Sequence, residues 1–264
     1  MTESSYNSIN YMKYITLFLL LLVFLYGYIH INDTTGTMMV SQMTYSELPI
    51  YCVNTNEPVL ALTFDSAWGT EDLIDILKIL EKHNVSATFF VTGDWVRTNP
   101  DAIRLIDASG HEIGNHGDKH KHMPSLSKED IAAEIQACHN AVYEVTGKDM
   151  TLFRAPYSDW NDTVVDVAHM LGYSAINQSV DSIDWKDYGV DAIINQVCNN
   201  KNLENGSIIL MHNGTKFTKD SLDTVLTNLE EKGYHFIPLS DLIYISDYYI
   251  DHTGKQFQKN NSNQ

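Results

Sequence analysis

The sequence predicts an α/β fold, a distorted (β/α)7 barrel that follows an N-terminal transmembrane anchor helix. The barrel prediction comes from an alternation between residues 57 and 246, where short apolar runs are followed by amphipathic stretches with helical spacing. Strands that alternate with helices form parallel βα units, and about seven such units fit in this range. The chain has 264 residues, 44% of them hydrophobic, so it can enclose a substantial core.

The predicted strands are short apolar runs separated by segments long enough for a helix. They are Val59–Phe64, Ala87–Val91, Glu112–Asn115, Leu152–Arg154, Ser174–Asn177, Ile208–Met211 and Phe236–Pro238. The helices between them carry terminal signals. Ser127 followed by Asp130 is typical of an N-cap, and Gly147 stands where the same helix should end.

The N-terminal segment is apolar and uncharged. Residues 14–31, YITLFLLLLVFLYGYIHI, are close to the shortest helix that can span a bilayer. No small-residue cleavage site follows, so we expect an uncleaved signal-anchor, with residues 1–31 forming a cytoplasmic N-terminus and one transmembrane span. Lys13, the one basic residue before the span, weakly favours this orientation. The sequence thus predicts a single-pass protein of the cell membrane whose main domain is extracellular.

The segments that flank the predicted barrel are polar. Residues 32–56 show no periodicity and are expected to form a stalk, while the barrel domain takes residues 57–246. Residues 247–264 end in DHTGKQFQKNNSNQ, and this polar composition predicts a disordered tail.

Charge and cysteine usage narrow the classes of partner. The formal net charge of −17 argues against nucleic acid, since phosphate binding needs a basic face, and leaves neutral partners such as glycans open. The cysteines Cys52, Cys138 and Cys198 form no CxxC pair. We therefore interpret them as small buried apolar residues.

Polar side chains directly follow five of the predicted strands. In parallel βα folds the strands end at one rim, where the chemistry is found. The residues delivered there are Asp65, His116, His120, Arg154, Asp181, Asp184 and His212. An acid, imidazoles and a guanidinium from separate strands predict a reaction centre.

Each of these residues also has a purely structural interpretation. Asp65 could be a helix N-cap, and Arg154 could pair with an acid to stabilise the fold. His116 and His120 are four residues apart, a spacing that suits metal ligation but is common on surfaces. His212 could be a hydrogen-bonded core histidine. Their convergence favours the functional interpretation.

Five motifs in order make the sequence resemble the polysaccharide deacetylases of carbohydrate esterase family 4, the NodB-homology domain. TFDS stands for TFDD, HGDKH for HSxxH, RAPY for RPPY, DSIDW for the DxxDW type and LMH for LxH. The resemblance covers residues 57 to about 245, nearly the whole predicted barrel. It implies a distorted (β/α)7 barrel and metal-dependent removal of acetyl groups from polymeric sugars.

The resemblance also implies roles for the polar residues. A divalent metal would be bound by His116 and His120, with zinc the first choice and cobalt, manganese or nickel as alternatives. Asp65 would be the general base and His212 the general acid. In these roles Asp65 would accept the proton of the attacking water, and His212 would protonate the departing sugar nitrogen.

Further positions would support this chemistry. The resemblance implies that Arg154 orients the base and that Asp184 pairs with the catalytic imidazole, which would raise its pKa. The backbone N–H of Tyr157 would bind the oxyanion. A small apolar acetyl pocket would be lined by Trp185 and Leu210.

The sequence departs from the family pattern at Ser66, where the second acid of TFDD usually binds the metal. A hydroxyl is a weaker ligand than a carboxylate, so a lower metal affinity is expected. The arrangement TFDSAWG resembles family members with TFDxxWG, in which this position is not acidic. The third ligand is left open between Ser66, Asp118, His122 and additional waters.

These observations predict a hydrolase that removes N-acetyl groups from cell-wall polysaccharide, with peptidoglycan amino sugars as the first choice. Chitin oligomers and acetylated xylan are alternative substrates. The expected partners are a polymeric N-acetylated glycan and the membrane that holds the anchor. A membrane-anchored, non-catalytic glycan-binding pseudo-deacetylase is the alternative function, and Ser66 is the residue that motivates it.

Overall fold

The computed structural model describes residues 48–259. Within this range the strands are β1 (Cys52–Val53), β2 (Val59–Ser66), β3 (Thr88–Val91), β4 (Glu112–Asn115), β5 (Leu152–Phe153), β6 (Ser174–Ala175), β7 (Val180–Asp181), β8 (Ile208–His212), β9 (His235–Phe236), β10 (Tyr248–Ile250) and β11 (Lys255–Gln258). The helices are α1 (Leu73–Lys82), α2 (Gly93–Thr98), α3 (Pro100–Ala108), α4 (Lys128–Thr146), α5 (Asp162–Met170), α6 (Val190–Cys198), α7 (Thr218–Glu231) and α8 (Leu239–Leu242). Short 3₁₀ turns lie at Met123–Ser125, Pro156–Ser158 and Asp184–Lys186.

Over residues 48–259, the larger sheet has eight strands in the order β6-β5-β4-β3-β2-β8-β7, with β9 added beside β2. Every pairing in it is parallel. The two edge strands, β6 and β7, are not paired with each other, so the sheet is a curled half-barrel. This is the architecture of the predicted distorted barrel, left open on one side.

Two apolar layers hold the sheet. Outward-facing residues of β2 such as Leu62 and Phe64 join the larger cluster beneath the helices. Their neighbour Ala61 instead joins Phe90 and Ile208 in a second cluster inside the curl. This follows from the alternation of side chains along a strand. Because both faces are covered, the strands are apolar almost throughout, as parallel strands are.

Most of the predicted elements are confirmed. Each of the seven predicted strands overlaps an observed one, and Ser127 Oγ accepts the Asp130 N–H at 3.1 Å as the N-cap of α4. The same helix ends at Gly147, whose φ of 69° is the left-handed conformation that glycine adopts readily. One strand of the larger sheet was not predicted. β7 is only two residues long, which leaves too little pattern to detect.

The prediction of a stalk over residues 32–56 is wrong for its described part. Ile50 N–H donates to the Ala175 carbonyl at 2.9 Å, and the Asn177 N–H donates to the Ile50 carbonyl at 2.8 Å. Ile50 and Val53 are almost fully buried. This segment therefore pairs alongside β6, at the open side of the half-barrel. An irregular sequence hid this role because only isolated residues of the segment face the core.

The prediction of a disordered tail from residue 247 is also wrong for the residues up to 259. β10 and β11 pair antiparallel, and β11 pairs with β1 in a separate small sheet. Tyr249 stacks on Phe257 with centroids 5.1 Å apart, and the Gln256 side chain is fully buried. Its amide donates to the Tyr244 carbonyl at 2.7 Å and accepts the Tyr244 N–H at 2.9 Å. A polar composition concealed this strand because its buried residue is a hydrogen-bonded glutamine.

The predicted anchor, residues 14–31, lies outside the described residues. Between residues 48 and 259, no helix combines the length and apolarity needed to cross a membrane. The cysteine prediction is confirmed, since Cys52, Cys138 and Cys198 are free and buried.

Candidate active site

The register of the sheet brings the predicted polar residues to one rim. Asp65, at the end of β2, pairs with His212 at the end of β8 on one side and with Phe90 of β3 on the other. Asn115, the last residue of β4, pairs with Phe153 of β5. The residues that follow these last two positions, His116 and Arg154, are therefore level with each other and lie two residues beyond the level of Asp65.

Asp65 is held by a buried arginine. The Arg154 side chain has no exposed surface, and its Nη1 donates to Asp65 Oδ1 at 2.8 Å and to Thr63 Oγ1 at 2.8 Å. Its guanidinium carbon lies 4.2 Å from the ring centroid of Phe90. Arginine stays charged at any physiological pH, so a counter-ion is needed in this interior. Asp65 supplies it.

The pKa of Asp65 lies below its usual value. Burial works to raise it, but the electrostatic interactions with His116, Arg154 and His212, together with the Arg154 hydrogen bond, outweigh burial. Because Arg154 is permanently charged, it still lowers the pKa of Asp65 at neutral pH. Asp65 is therefore a carboxylate, ready to accept a proton.

His116 is oriented by a backbone contact. Its Nδ1 lies 2.8 Å from the Arg154 carbonyl oxygen, an acceptor, so Nδ1 carries the proton and Nε2 presents a lone pair. Burial lowers the pKa of His116 and keeps the ring neutral. Nε2 lies 3.5 Å from Asp65 Oδ2. Two acceptors that face each other at this distance need a proton donor or a cation near both.

His120 lies beside His116, with ring centroids 5.1 Å apart. Its backbone is left-handed, with φ of 52°, which turns the chain so that both imidazoles reach the rim. Burial is the largest influence on its pKa, and with His116 it lowers the value to about 4. Neutral imidazoles are the form that binds metals. The two imidazoles therefore lie side by side, and their binding of a metal stays a prediction.

His212 is fixed by Asp184. Its Nδ1 donates to Asp184 Oδ1 at 2.7 Å, while its backbone N–H donates to Oδ2 at 2.7 Å. Thr218 Oγ1 also donates to Oδ2, at 2.6 Å. Burial works to lower the pKa of His212, but the hydrogen bond and charge of Asp184 outweigh it, so the pKa is raised. This leaves Nε2 of a readily protonated imidazole facing the rim.

The donor set fits a divalent cation only in part. Two neutral imidazoles and the facing carboxylate of Asp65 suit one, yet between residues 48 and 259 no group of three or more His, Cys, Asp and Glu side chains is placed to hold a metal ion. The Ser66 hydroxyl is buried and has no hydrogen-bond partner among the described residues. This serine stands at the position of the second acid in the TFDD pattern, and its oxygen has no hydrogen-bond partner among residues 48–259.

Two of the proposed third ligands are engaged elsewhere. Asp118 Oδ1 accepts a hydrogen bond from Arg97 Nη2 at 2.6 Å. His122 stacks on Tyr157 with centroids 4.0 Å apart, and its Nδ1 lies 3.1 Å from Asp159 Oδ2. Ser66 and water remain as the candidates for this position.

The predicted pocket residues are divided by the structure. Leu210 is buried and pairs with Thr63 and Asp181 inside the sheet. It lies two residues before His212 in β8. Trp185 and Tyr157 are instead about half exposed, on either side of the rim. Tyr157 has a left-handed backbone, with φ of 62°, and its ring contacts His120 edge-on at 4.4 Å.

Trp68 was not singled out from the sequence. Its ring centroid lies 5.4 Å from that of His120 and 5.9 Å from that of His212, so the indole borders both imidazoles. Its place in the TFDSAWG stretch, three residues after Asp65, was the available signal.

Glu134 was also missed. This buried carboxylate of α4 accepts the backbone N–H groups of Asp118 and Lys119 through Oε2, at 3.0 and 2.7 Å. Asn115 Oδ1 accepts the N–H of Gly117 at 2.9 Å. The loop between the two histidines is thus held by its backbone. A buried acid in a helix sixteen residues away leaves no local sequence signal.

A parallel α/β half-barrel that collects an acid, imidazoles and a buried arginine at its strand ends is the arrangement of a barrel enzyme site. Comparison with known proteins specifies the family. Residues 53–176 match the family model described as polysaccharide deacetylase. The peptidoglycan-N-acetylmuramic acid deacetylase PdaA of Bacillus subtilis is 32% identical over 202 residues, which cover 74% of each chain. The chain therefore belongs to the polysaccharide deacetylases of carbohydrate esterase family 4.

Two further similar proteins are described as an uncharacterized protein and as a pseudoenzyme. The uncharacterized protein YlxY of Bacillus subtilis is 33% identical over 195 residues, which span 74% of this chain and 60% of YlxY. Among solved structures, a carbohydrate esterase family 4 pseudoenzyme from Bacillus anthracis is 36% identical with a TM-score of 0.71, covering 75% of this chain and 69% of that one. A mutant of the same pseudoenzyme is described as having restored enzymatic activity.

Glu134→Ala should loosen the loop that carries both histidines, because two backbone donors lose their acceptor. We expect the free energy of unfolding to fall by about 2 kcal/mol and the amide protons of Asp118 and Lys119 to exchange faster. Glu134→Gln, which keeps an acceptor oxygen, should lie in between. Denaturant unfolding and hydrogen exchange by NMR measure both effects.

The matched control is Glu144→Ala, on an exposed position of the same helix. It should leave exchange at both amides unchanged. Slow exchange at Asp118 and Lys119 in Glu134→Ala would contradict the assignment.

Proposed function

We propose that the protein is a metal-dependent deacetylase that hydrolyses N-acetyl groups of cell-wall glycan. The observation that carries the proposal is the facing pair of an ionised Asp65 and a protonatable His212 at adjacent strand ends. A base and an acid whose environments push their pKa values in opposite directions are what amide hydrolysis requires.

Asp65 is the base in this proposal. It takes a proton from the attacking water, and Arg154 holds its carboxylate in one orientation through Oδ1. Oδ2 stays on the side of His116, where the water would lie. A cation held by His116 and His120 would polarise the acetyl carbonyl and acidify the water.

His212 is the acid. Asp184 keeps the proton of Nδ1 in place, so the exchangeable proton is on Nε2. When the carbon–nitrogen bond breaks, this proton passes to the departing sugar amine. Asp184, bonded also to Thr218 and the His212 backbone, cannot rotate away.

The remaining roles follow from position. The Tyr157 backbone N–H is proposed to stabilise the oxyanion, and Trp185 and Leu210 to receive the acetyl methyl group. Peptidoglycan amino sugars are the proposed substrate, since PdaA is named for an activity on peptidoglycan. The apolar segment at residues 14–31 would hold the domain at the outer face of the cell membrane, within reach of the wall.

Asp65→Asn should reduce acetate release by about a hundredfold or more, because the base is lost while the shape is kept. The assay uses the full chain with zinc, cobalt or manganese, on peptidoglycan, chitin oligomers and acetylated xylan. Asp191→Asn, at an exposed position of α6, is the control and should retain activity. No acetate from any of the three glycans, or acetate unaffected by Asp65→Asn, would refute the proposal.

Asp184→Asn should move the alkaline limb of the kcat/KM profile to lower pH. The wild-type imidazole has a raised pKa because Asp184 stabilises its charged form. Without that charge, His212 loses its proton at a lower pH, so the acid form disappears earlier as pH rises. The profile of Asp184→Asn is compared with that of Asp191→Asn. An alkaline limb at the wild-type position would show that His212 is not the acid.

A non-catalytic glycan-binding protein is the second candidate. It is favoured by the serine at position 66 and by the similarity to a protein described as a pseudoenzyme. In that case the full chain should bind N-acetylated glycan without releasing acetate under any of the metals above. The presence of two buried hydrogen-bonded pairs, Asp65 with Arg154 and His212 with Asp184, supports the catalytic candidate instead.

A further inference from the structure

The carboxylate that fixes His212 comes from a turn with an unusual backbone. Asp184 lies three residues after the end of β7, and its side chain has no exposed surface. The residue before it, Ile183, has φ of 55° and ψ of 26°, which is the left-handed conformation. A β-branched residue is disfavoured there because its Cβ crowds the backbone. Strain of this kind persists only where the surroundings impose it, and it is common at functional sites.

The register of the sheet shows what the bend achieves. Asp181, the last residue of β7, pairs with Leu210 of β8. A straight continuation of β7 would bring Ile183 level with His212 and place Asp184 one residue beyond it. The left-handed residue bends the chain at this point. Asp184 can then accept both the ring Nδ1–H and the backbone N–H of His212, at 2.7 Å each.

The side chain of Asp181 holds Ile183 in this conformation. Its Oδ1 accepts the Ile183 N–H at 2.8 Å, the local turn that aspartate forms with the second residue after it. The Asp181 backbone is itself fixed, because its carbonyl accepts Gln196 Nε2 of α6 at 3.1 Å. The next N–H, that of Ser182, donates to the Leu210 carbonyl at 3.0 Å. The carboxylate of Asp181 therefore acts from an anchored position.

Packing does not account for the conformation of Ile183. Among residues 48–259 it belongs to neither of the two apolar clusters. It borders a cavity of about 280 Å³ between the turn and α6, so its side chain is not tightly enclosed. The hydrogen bond from its N–H to Asp181 is therefore the side-chain contact that stabilises the bend.

The charge of Asp181 is a separate contribution from its acceptor oxygen. Burial raises the pKa of Asp181, while the Ile183 N–H and His212 oppose that rise. A carboxylate that interacts electrostatically with His212 could act through its charge alone. The two contributions are distinguished by a variant that keeps the oxygen and removes the charge.

We propose that Asp181 is a positioning residue for the proposed deacetylase reaction: its carboxylate holds Ile183 in the left-handed conformation, and this bend places Asp184 against His212. The inference rests on the proposed function for the role of His212 as the acid. Asp181 acts through its acceptor oxygen and exchanges no proton with the substrate.

Three variants of the full chain test the proposal. Asp181→Ala removes the acceptor and the charge. Asp181→Asn keeps an acceptor oxygen and removes the charge. Asp181→Ala combined with Ile183→Gly removes the need for the acceptor, since glycine adopts positive φ without strain. Asp191→Ala, at an exposed position of α6, is the matched control.

The first measurement is spectroscopic and needs no turnover. In protein labelled isotopically at histidine, the Nδ1 proton that His212 donates to Asp184 at 2.7 Å should give a downfield NMR resonance, assigned by its absence from His212→Gln. We expect Asp181→Ala to lose this resonance. Asp181→Asn, the double variant and Asp191→Ala should keep it.

The second measurement is the rate of acetate release. Misplacing the acid should lower kcat by about tenfold in Asp181→Ala with little change in KM, because binding of the glycan does not depend on the proton donor. Asp181→Asn, the double variant and Asp191→Ala should stay within about twofold of the wild type.

Several results would overturn the proposal. Asp181→Asn as impaired as Asp181→Ala would show that the charge is what matters. A double variant no better than Asp181→Ala, including one in which Ile183→Gly fails to restore folding, would show that the bend is not held by Asp181. An unchanged His212 resonance in Asp181→Ala would show the same.

These results are separable from the test of the proposed function. If the wild type releases no acetate but its His212 resonance responds to the variants as expected, the positioning role is retained and the deacetylase assignment is lost. If the wild type releases acetate and Asp181→Ala changes neither the resonance nor kcat, the assignment is retained and the positioning role is lost.

Discussion

The buried pair of Arg154 and Asp65 is the interaction on which the site depends. A guanidinium with no exposed surface is tolerated only where its charge is matched, and here the matching carboxylate is Asp65, the penultimate residue of β2. The same arginine gives its backbone carbonyl to His116 Nδ1. One residue therefore sets the ionisation of the acid, the direction of its carboxylate and the tautomer of the neighbouring imidazole.

The parallel sheet allows this ion pair to be buried, although removing both charges from water is unfavourable. Parallel register brings the ends of β2 and β8 level, and apolar layers cover both faces of the sheet. His212 and Asp184 form a second buried pair on the other side of Asp65, supported by Thr218. Removing either partner of a buried pair leaves an uncompensated charge or an unpaired donor, so the two pairs are rigid as well as reactive. These surroundings lower the pKa of Asp65 and raise the pKa of His212, so the protein itself favours an ionised Asp65 and a protonated His212.

Sequence reasoning found the parts that have local patterns and missed those that depend on tertiary contact. The alternation of apolar runs identified the barrel, and polar residues directly after strands identified Asp65, His116, Arg154 and His212. β7 and β11 were missed because a two-residue strand and a strand with a buried glutamine have no apolar signature. The sequence made Asp118 a candidate metal ligand, but its carboxylate is hydrogen-bonded to Arg97. That contact joins helix α2 to a loop residue 21 positions later, a relation that has no local signature in a single sequence.

Ser66 is the residue on which the choice between the two candidate functions, a metal-dependent deacetylase and a non-catalytic glycan-binding protein, depends most. Its hydroxyl, which has no hydrogen-bond partner among residues 48–259, lies at the end of the strand that carries Asp65, at the position of the second acid in the TFDD pattern. Calorimetric titration of the full chain with zinc tests this most directly, using the wild type, His116→Ala and Ser66→Asp. The account predicts one zinc per chain in the wild type, loss of binding in His116→Ala and tighter binding in Ser66→Asp. Zinc bound equally well by His116→Ala would contradict it.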